Sequence, residues 1–137
     1  GRYSEAEPLY SEALSMRKRL LGESHPVVAN SLNNLALLHD KQGRYSEAEP
    51  LYSEALSMRK RLLGEMHPDV ALSLNNLALF YCKQGRYAEA RPLYSKALSM
   101  SQQLLGSEHP LTKTVQSNLQ TFLDEQGLMK LDTPDSS

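Results

Sequence analysis

Cysteine occurs once in this chain, so neither an internal disulfide nor a cysteine-built metal cage can form. The lone thiol, Cys82, suits a reducing compartment, and a cytoplasmic location is the expectation that follows. Neither sign of charge dominates: 15 Lys and Arg against 16 Asp and Glu leave a formal net charge of −1. No global field draws such a chain to nucleic acid or anionic lipid, so neither is an expected partner. Nothing in the sequence approaches the roughly 18 to 20 apolar residues a membrane span needs, and the first residues carry no signal-peptide pattern. A Gly-rich phosphate loop is missing, and no nucleophile stands at a spacing from a base that suggests a catalytic unit. Enzymatic activity, a cofactor and a bound metal are therefore not expected.

What is present is a 42-residue period. Gly1-Arg2-Tyr3-Ser4-Glu5-Ala6 returns as Gly43-Arg44-Tyr45-Ser46-Glu47-Ala48 and as Gly85-Arg86-Tyr87-Ala88-Glu89-Ala90, and Gly127 keeps phase. Residues 1–42 and 43–84 differ at only six positions: Ser24/Met66, Val27/Asp69, Asn30/Leu72, Leu38/Phe80, His39/Tyr81 and Asp40/Cys82. The unit 85–126 drifts further, and beyond Gly127 the signature is lost. Repetition at this period predicts a solenoid, whose stacked units present an extended surface suited to holding another molecule.

Each unit reads as two helices. Ala6, Leu9, Tyr10, Ala13 and Leu14 form one helical stripe; Ser4 with Glu7, and Ser46 with Glu49, read as capping boxes. Pro8, Pro50 and Pro92 fall near the first turn, where a proline forfeits little. Gly22, Gly64 and Gly106 are expected as left-handed stops. The second helix opens at His25-Pro26 and carries Val28, Leu32, Leu35, Ala36 and His39 on its packing face. The predicted array spans 1–127: an unpaired helix 1–22, helix pairs 25–64 and 67–106, and a terminal capping-type helix 109–126. Residues 128–137 are expected to fray. His25, His67 and His109 stand one repeat apart, too far for a shared zinc ion, and are read as structural caps.

Leu35-Ala36 before Gly43, then Tyr45, Ala48, Tyr52 and Ala55 at fixed offsets, resemble the tetratricopeptide repeat. With Leu-Gly-x-x-His-Pro, Leu-Asn-Asn-Leu-Ala and Gly-x-Tyr-x-Glu-Ala-Glu-Pro-Leu-Tyr, the longer unit is similar to the kinesin-light-chain and nephrocystin class. The resemblance implies an all-α, right-handed solenoid of antiparallel helix pairs, about six helices in all. It also implies that the side of the second helix opposite the packing stripe faces a groove. That side carries Asn30, Asn33, Asn34, Leu37 and Lys41, then Leu72, Asn75, Asn76, Leu79 and Lys83, then Asn118. Asparagine offers both donors and an acceptor to an extended peptide backbone. Grooves of this class also place an arginine seventeen residues before the asparagine, where it meets acidic peptides; the matching residues are Arg17 and Arg59, with Ser101 departing from the pattern. The basic runs Arg17-Lys18-Arg19 and Arg59-Lys60-Arg61 read equally as cations near a helix C-terminus.

The function expected from this is a protein-interaction scaffold binding a short, extended, acidic peptide segment of a partner. The alternatives are a self-association module, joining two copies through the uncapped N-terminal helix, and the regulatory arm of a longer protein.

Overall fold

A computed structural model of the chain describes residues 2–22 and 25–131, with side chains at 5–22 and 25–127. Six helices follow one another: α1 (Arg2–Leu21), α2 (Pro26–Lys41), α3 (Tyr45–Leu63), α4 (Pro68–Lys83), α5 (Tyr87–Leu105) and α6 (Pro110–Leu131). α6 is helical through Leu131, past the point where fraying was expected to begin; the rest of that tail, 132–137, lies outside the described residues.

The starts of α2, α4 and α6 follow from His-Pro. His25 and His67 hold extended backbone, and the Nδ1 of each accepts the backbone N–H two residues on, Val27 at 3.1 Å and Asp69 at 3.0 Å. His109 repeats this with Leu111 at 3.1 Å. Each imidazole thus supplies an acceptor for an otherwise orphaned donor of the first turn, while the following proline has no N–H to leave unpaired.

Two local expectations are corrected. Tyr45 already lies within α3 and Arg44 is its N-cap, with no side-chain cap bond, so Ser46 is inside the helix and no capping box forms; α1 likewise is helical from Arg2, ahead of Ser4. The glutamates assigned to those boxes serve elsewhere, as described below. Gly64 and Gly106 do take positive φ, 92° and 86°, but with ψ at 163°. This is the extended mirror region, open essentially to glycine alone, rather than a left-handed helical stop.

The helices form two rows. α2, α4 and α6 make one and α1, α3 and α5 the other, each helix packing on its neighbours in sequence. Val28, Leu32, Leu35 and Leu38 of α2 close over Ala55 and Met58 of α3. Val70, Ala71 and Leu74 of α4 do the same with Ala97 and Met100 of α5. At the centre, Phe80 is fully buried among Tyr45, Tyr52 and Tyr81, with ring centroids 5.7, 5.2 and 5.9 Å away. Tyr52 donates its hydroxyl to Asp40 at 3.2 Å, and Lys83 reaches the same carboxylate at 3.3 Å. Burial first, and the Asp40 charge second, hold the Tyr52 phenol far above its ordinary range. Tyr94 is raised in the same way, by burial and then by its bond with Cys82.

Along the second row each helix is stapled to the next. Arg44 pairs with Glu7 of α1 and Glu47 of α3; Arg86 pairs with Glu49 of α3 and Glu89 of α5, both at 2.7 Å, and lies 4.3 Å from the Tyr81 ring centroid. The glutamate of this staple becomes Arg91 in the third unit, and the arginine position becomes Leu128. Both halves disappear together where the array ends. Glu7, His39 and Glu47 bring their ligand atoms within 4.8 Å of one another. Arg44 already bridges both carboxylates there, and the equivalent staple works with Tyr81 in the histidine's place, so the cluster is read as a staple and not as a metal centre.

Phe80→Ala is expected to cost about 3–5 kcal/mol in urea-unfolding stability, because the cavity opens between two helix pairs. A second outcome concerns alkaline pH. A phenol whose folded pKa is raised contributes stability that is whole below the unfolded value of about 10 and is lost as pH climbs beyond it. Thermal melts from about pH 9 to about pH 11 should show a fall in wild type that is shallower in Tyr52→Phe/Tyr94→Phe.

Candidate functional site

The residues expected to line a groove all lie on the α2, α4 and α6 row, except the two arginines. Asn30, Asn34, Leu37 and Lys41 of α2 are exposed. On α4, Lys83 is exposed, Leu72, Asn76 and Leu79 are half-buried, and Asn75 is buried. Asn118 on α6 is half-buried, flanked by exposed Thr114, Ser117, Thr121 and Glu125. Spacings of three, four and seven residues keep Asn30, Asn34, Leu37 and Lys41 on one helical face, and the 42-residue repeat carries that face from one helix to the next.

The asparagines are not independent rungs. Asn76 donates Nδ2 to Asn33 Oδ1 at 3.4 Å, and Asn118 donates to Asn75 Oδ1 at 3.2 Å. The first asparagine of each Asn-Asn pair accepts from the asparagine one place further along in the next unit, Asn76 or Asn118, a diagonal zipper between successive helices of the row. Each pairing leaves amide capacity unused on both partners.

Arg59 departs most from its expected role as a reader of ligand charge. It is 4% exposed and donates to Ser73 Oγ of α4 and Asn30 Oδ1 of α2, both at 2.6 Å. Burial lowers its pKa against the raising influence of Asp69. Its guanidinium therefore ties two successive helices of the row instead of facing a ligand, because α3 delivers position 59 into the seam between them. Arg17, its counterpart on α1, is exposed and donates to Ser31 Oγ at 2.5 Å.

Asp40 was missed as a site residue. It is buried at the end of α2, where it accepts from Tyr52 and anchors the exposed Lys83 of α4. The signal available was its place one repeat from Cys82 and two from Asp124. At the equivalent point of the next junction, Cys82 lines a hollow of about 170 Å³ with Tyr94, Asn118, Phe122 and Glu125. Burial raises the Cys82 thiol, the Tyr94 hydroxyl opposes that rise and Glu125 adds to it, so the thiolate needed for nucleophilic chemistry is disfavoured. A second hollow of about 170 Å³ lies between α1 and α2, lined by Tyr10, Ala13, Arg17, Ser31 and Asn34. A depression of about 350 Å³ runs along α6 past Lys113, Gln116 and Gln120. Its lining comes from one helix, so it is the uncovered side of α6 rather than a cleft. Among the described residues no helix is long and apolar enough to cross a membrane.

This two-row array has known counterparts. Models of the tetratricopeptide repeat match residues 1–61 and 70–111. The crystal structure of BtubC (BKLC) from P. vanneervenii superposes with a TM-score of 0.83 at 30% identity, covering 93% of this chain and 51% of that one. The chain thus spans about half the length of that structure. No curated protein matches the sequence. Arrays of this repeat are generally protein–protein interaction modules, and the fold is typically a non-enzymatic scaffold. With its 42-residue unit, its alternating helices and these matches, the chain belongs to the tetratricopeptide repeats, in the form found in the kinesin-light-chain class.

Proposed function

We propose that the α2, α4 and α6 row receives a short extended segment of a partner protein, with acidic residues near its α2 end. The observation that carries this reading is the alignment, across α2 and α4, of exposed cations with partly exposed leucines and asparagines: Lys41 and Lys83, Leu37 and Leu79, Asn34 and Asn76. The asparagine amides have unused capacity for a peptide backbone, the leucines offer apolar contact, and the lysines favour carboxylates. Charge changes along the row, since Glu125 on α6 stands where Lys41 and Lys83 stand on the earlier helices. An acidic ligand is therefore favoured over α2 and α4 and disfavoured at α6, which gives it a direction. With Arg59 held in the seam, charge selection falls to the two lysines.

A shallow, polar surface of this kind suits micromolar affinity. Selection from a random-peptide library is expected to return acidic sequences. The best of them should bind Leu37→Ala/Lys41→Glu at least tenfold more weakly in calorimetric titration, with helical circular dichroism unchanged, and should weaken as salt rises. A selection with no acidic preference, or equal binding to wild type and variant, would remove the reading.

A further inference from the structure

The two junctions of the α2, α4 and α6 row are built on the same plan, and they part at three positions. At the first, Lys83 of α4 stands over Asp40, its Nζ 3.3 Å from the carboxylate that also accepts from Tyr52. One unit on, Glu125 takes the lysine position, Cys82 the aspartate position and Thr121 the position of Leu79, while the tyrosine recurs as Tyr94 and Phe80 as Phe122. The cation that closes the first junction is thus replaced by a carboxylate, and the anion that held it by a thiol. Lys83, the residue after Cys82, is directed back to Asp40 of α2. Between α4, α5 and α6 a hollow of about 170 Å³ is left open.

Its floor is Cys82, Tyr94 and Phe122, with the two ring centroids 5.7 Å apart. Its mouth is made by Leu79, Asn118, Thr121 and Glu125, repeat-mates of Leu37, Asn34 and Lys41, so it opens on the face that the row displays. The mouth is rich in acceptors. Asn118 gives its Nδ2 to Asn75, which leaves Oδ1 to accept, and Thr121 adds a hydroxyl. Glu125 is the ionised group of the lining. Burial raises the Cys82 thiol and the Tyr94 phenol, and the Glu125 charge adds to both, so its field reaches the floor.

A carboxylate over an aromatic floor favours a cation with a flat head. Guanidinium stacks on ring faces, carries five N–H donors and is weakly hydrated, whereas the compact ammonium of lysine loses more on leaving water. The chain uses the same combination internally: Arg86 lies 4.3 Å from the Tyr81 ring centroid and pairs with Glu49 and Glu89. The hollow is also large enough, on the order of the roughly 150 Å³ that admits a benzene-sized group.

We infer that the hollow between α4, α5 and α6 is a subsite for an arginine side chain of the partner segment, lying against Tyr94 and Phe122 and donating to Glu125 and Asn118. The inference deepens the peptide reading of this row and rests on it. Lys83 and Glu125 occupy the same place on successive helices of the row, about 10 Å apart, which an extended chain spans in about three residues. The segment is therefore bipolar, acidic over α2 and α4 and basic at α6, with arginine about three residues from an acidic residue.

The probe for the test is N-acetyl-arginine N-methylamide, titrated to about 50 mM into the isotope-labelled chain at constant ionic strength and read by amide chemical shifts. The citrulline analogue serves as the uncharged isostere. Saturable shifts centred on Leu79, Cys82, Asn118 and Phe122 are expected, at least about fivefold weaker with citrulline and lost in Glu125→Lys. Glu125 is exposed, so this variant should keep the wild-type helical circular dichroism. In a second arm, acidic peptides selected against wild type should carry arginine at the stated spacing. Its replacement by citrulline should weaken binding at least about fivefold to wild type and little to Glu125→Lys. The inference is overturned if the arginine derivative gives no saturable shifts at the hollow, if citrulline matches it, or if Glu125→Lys leaves the shifts unaltered. Acidic peptides selected without arginine overturn it as well, and leave the acidic reading of α2 and α4 standing. A selection with no acidic preference fails that reading and takes the segment with it, and the probe's shifts tell this apart from failure of the hollow.

Discussion

α3 and α5, helices of the Tyr-x-Glu-Ala type, are each seated between two helices of the Asn-Leu-Ala type, and Arg59 marks that seat on α3. Its guanidinium spans from Asn30 to Ser73, joining α2 to α4 through α3. Around it, Met58 and Ala55 fill the apolar floor and Tyr52 closes the far end on Asp40. A buried guanidinium without acceptors would be costly, so this bond set fixes the rotation and register of α3 as well as contributing energy. On α1, which packs on α2 alone among the described helices, the matching Tyr10 and Met16 are surface residues.

The units use this seat in two chemical versions. At the first junction the contacts are polar: Arg59 with Asn30, Tyr52 with Asp40, Lys83 with Asp40. At the second, Ser101 and Leu72 replace the arginine pair, Cys82 replaces Asp40, and Tyr94 stacks near Phe122 with ring centroids 5.7 Å apart. Both versions bury their tyrosine almost completely. The polar version restricts which helix can fill the seat, while the apolar one is satisfied by shape. The exposed face of the α2, α4 and α6 row inherits its character from this arrangement, because the asparagine zipper and the Asp40 anchor both stabilise the row and orient what it displays.

Much of the fold was legible because it is local. The His-Pro starts, the glycine breaks and the buried stripe Val28, Leu32, Leu35 and His39 follow from residues a few places apart, and the 42-residue period made each reading threefold. The face of α2 and α4 opposite the packing stripe was legible for the same reason, through helical angle, while its reading as a groove rests on the family resemblance. What could not be read were partnerships across units. Glu7 and Glu49 looked like capping-box members at a spacing of three, yet they pair with arginines 37 residues away. Asn76 pairs 43 residues back, and Arg59 reaches 29 residues back to Asn30. Repetition hid these contacts, since identical residues in every unit suggest identical roles, whereas position within the stack decides whether a side chain is buried.

The most direct measurement is the same substitution at one repeat position in two successive units: Met16→Ala and Met58→Ala, each followed by urea unfolding. If seating between two Asn-Leu-Ala helices governs the structure, Met58→Ala should cost about 2–5 kcal/mol and Met16→Ala well under about 1 kcal/mol. Equal costs would mean that the helix carries its stability in its own sequence, and would contradict the dependence on the seat.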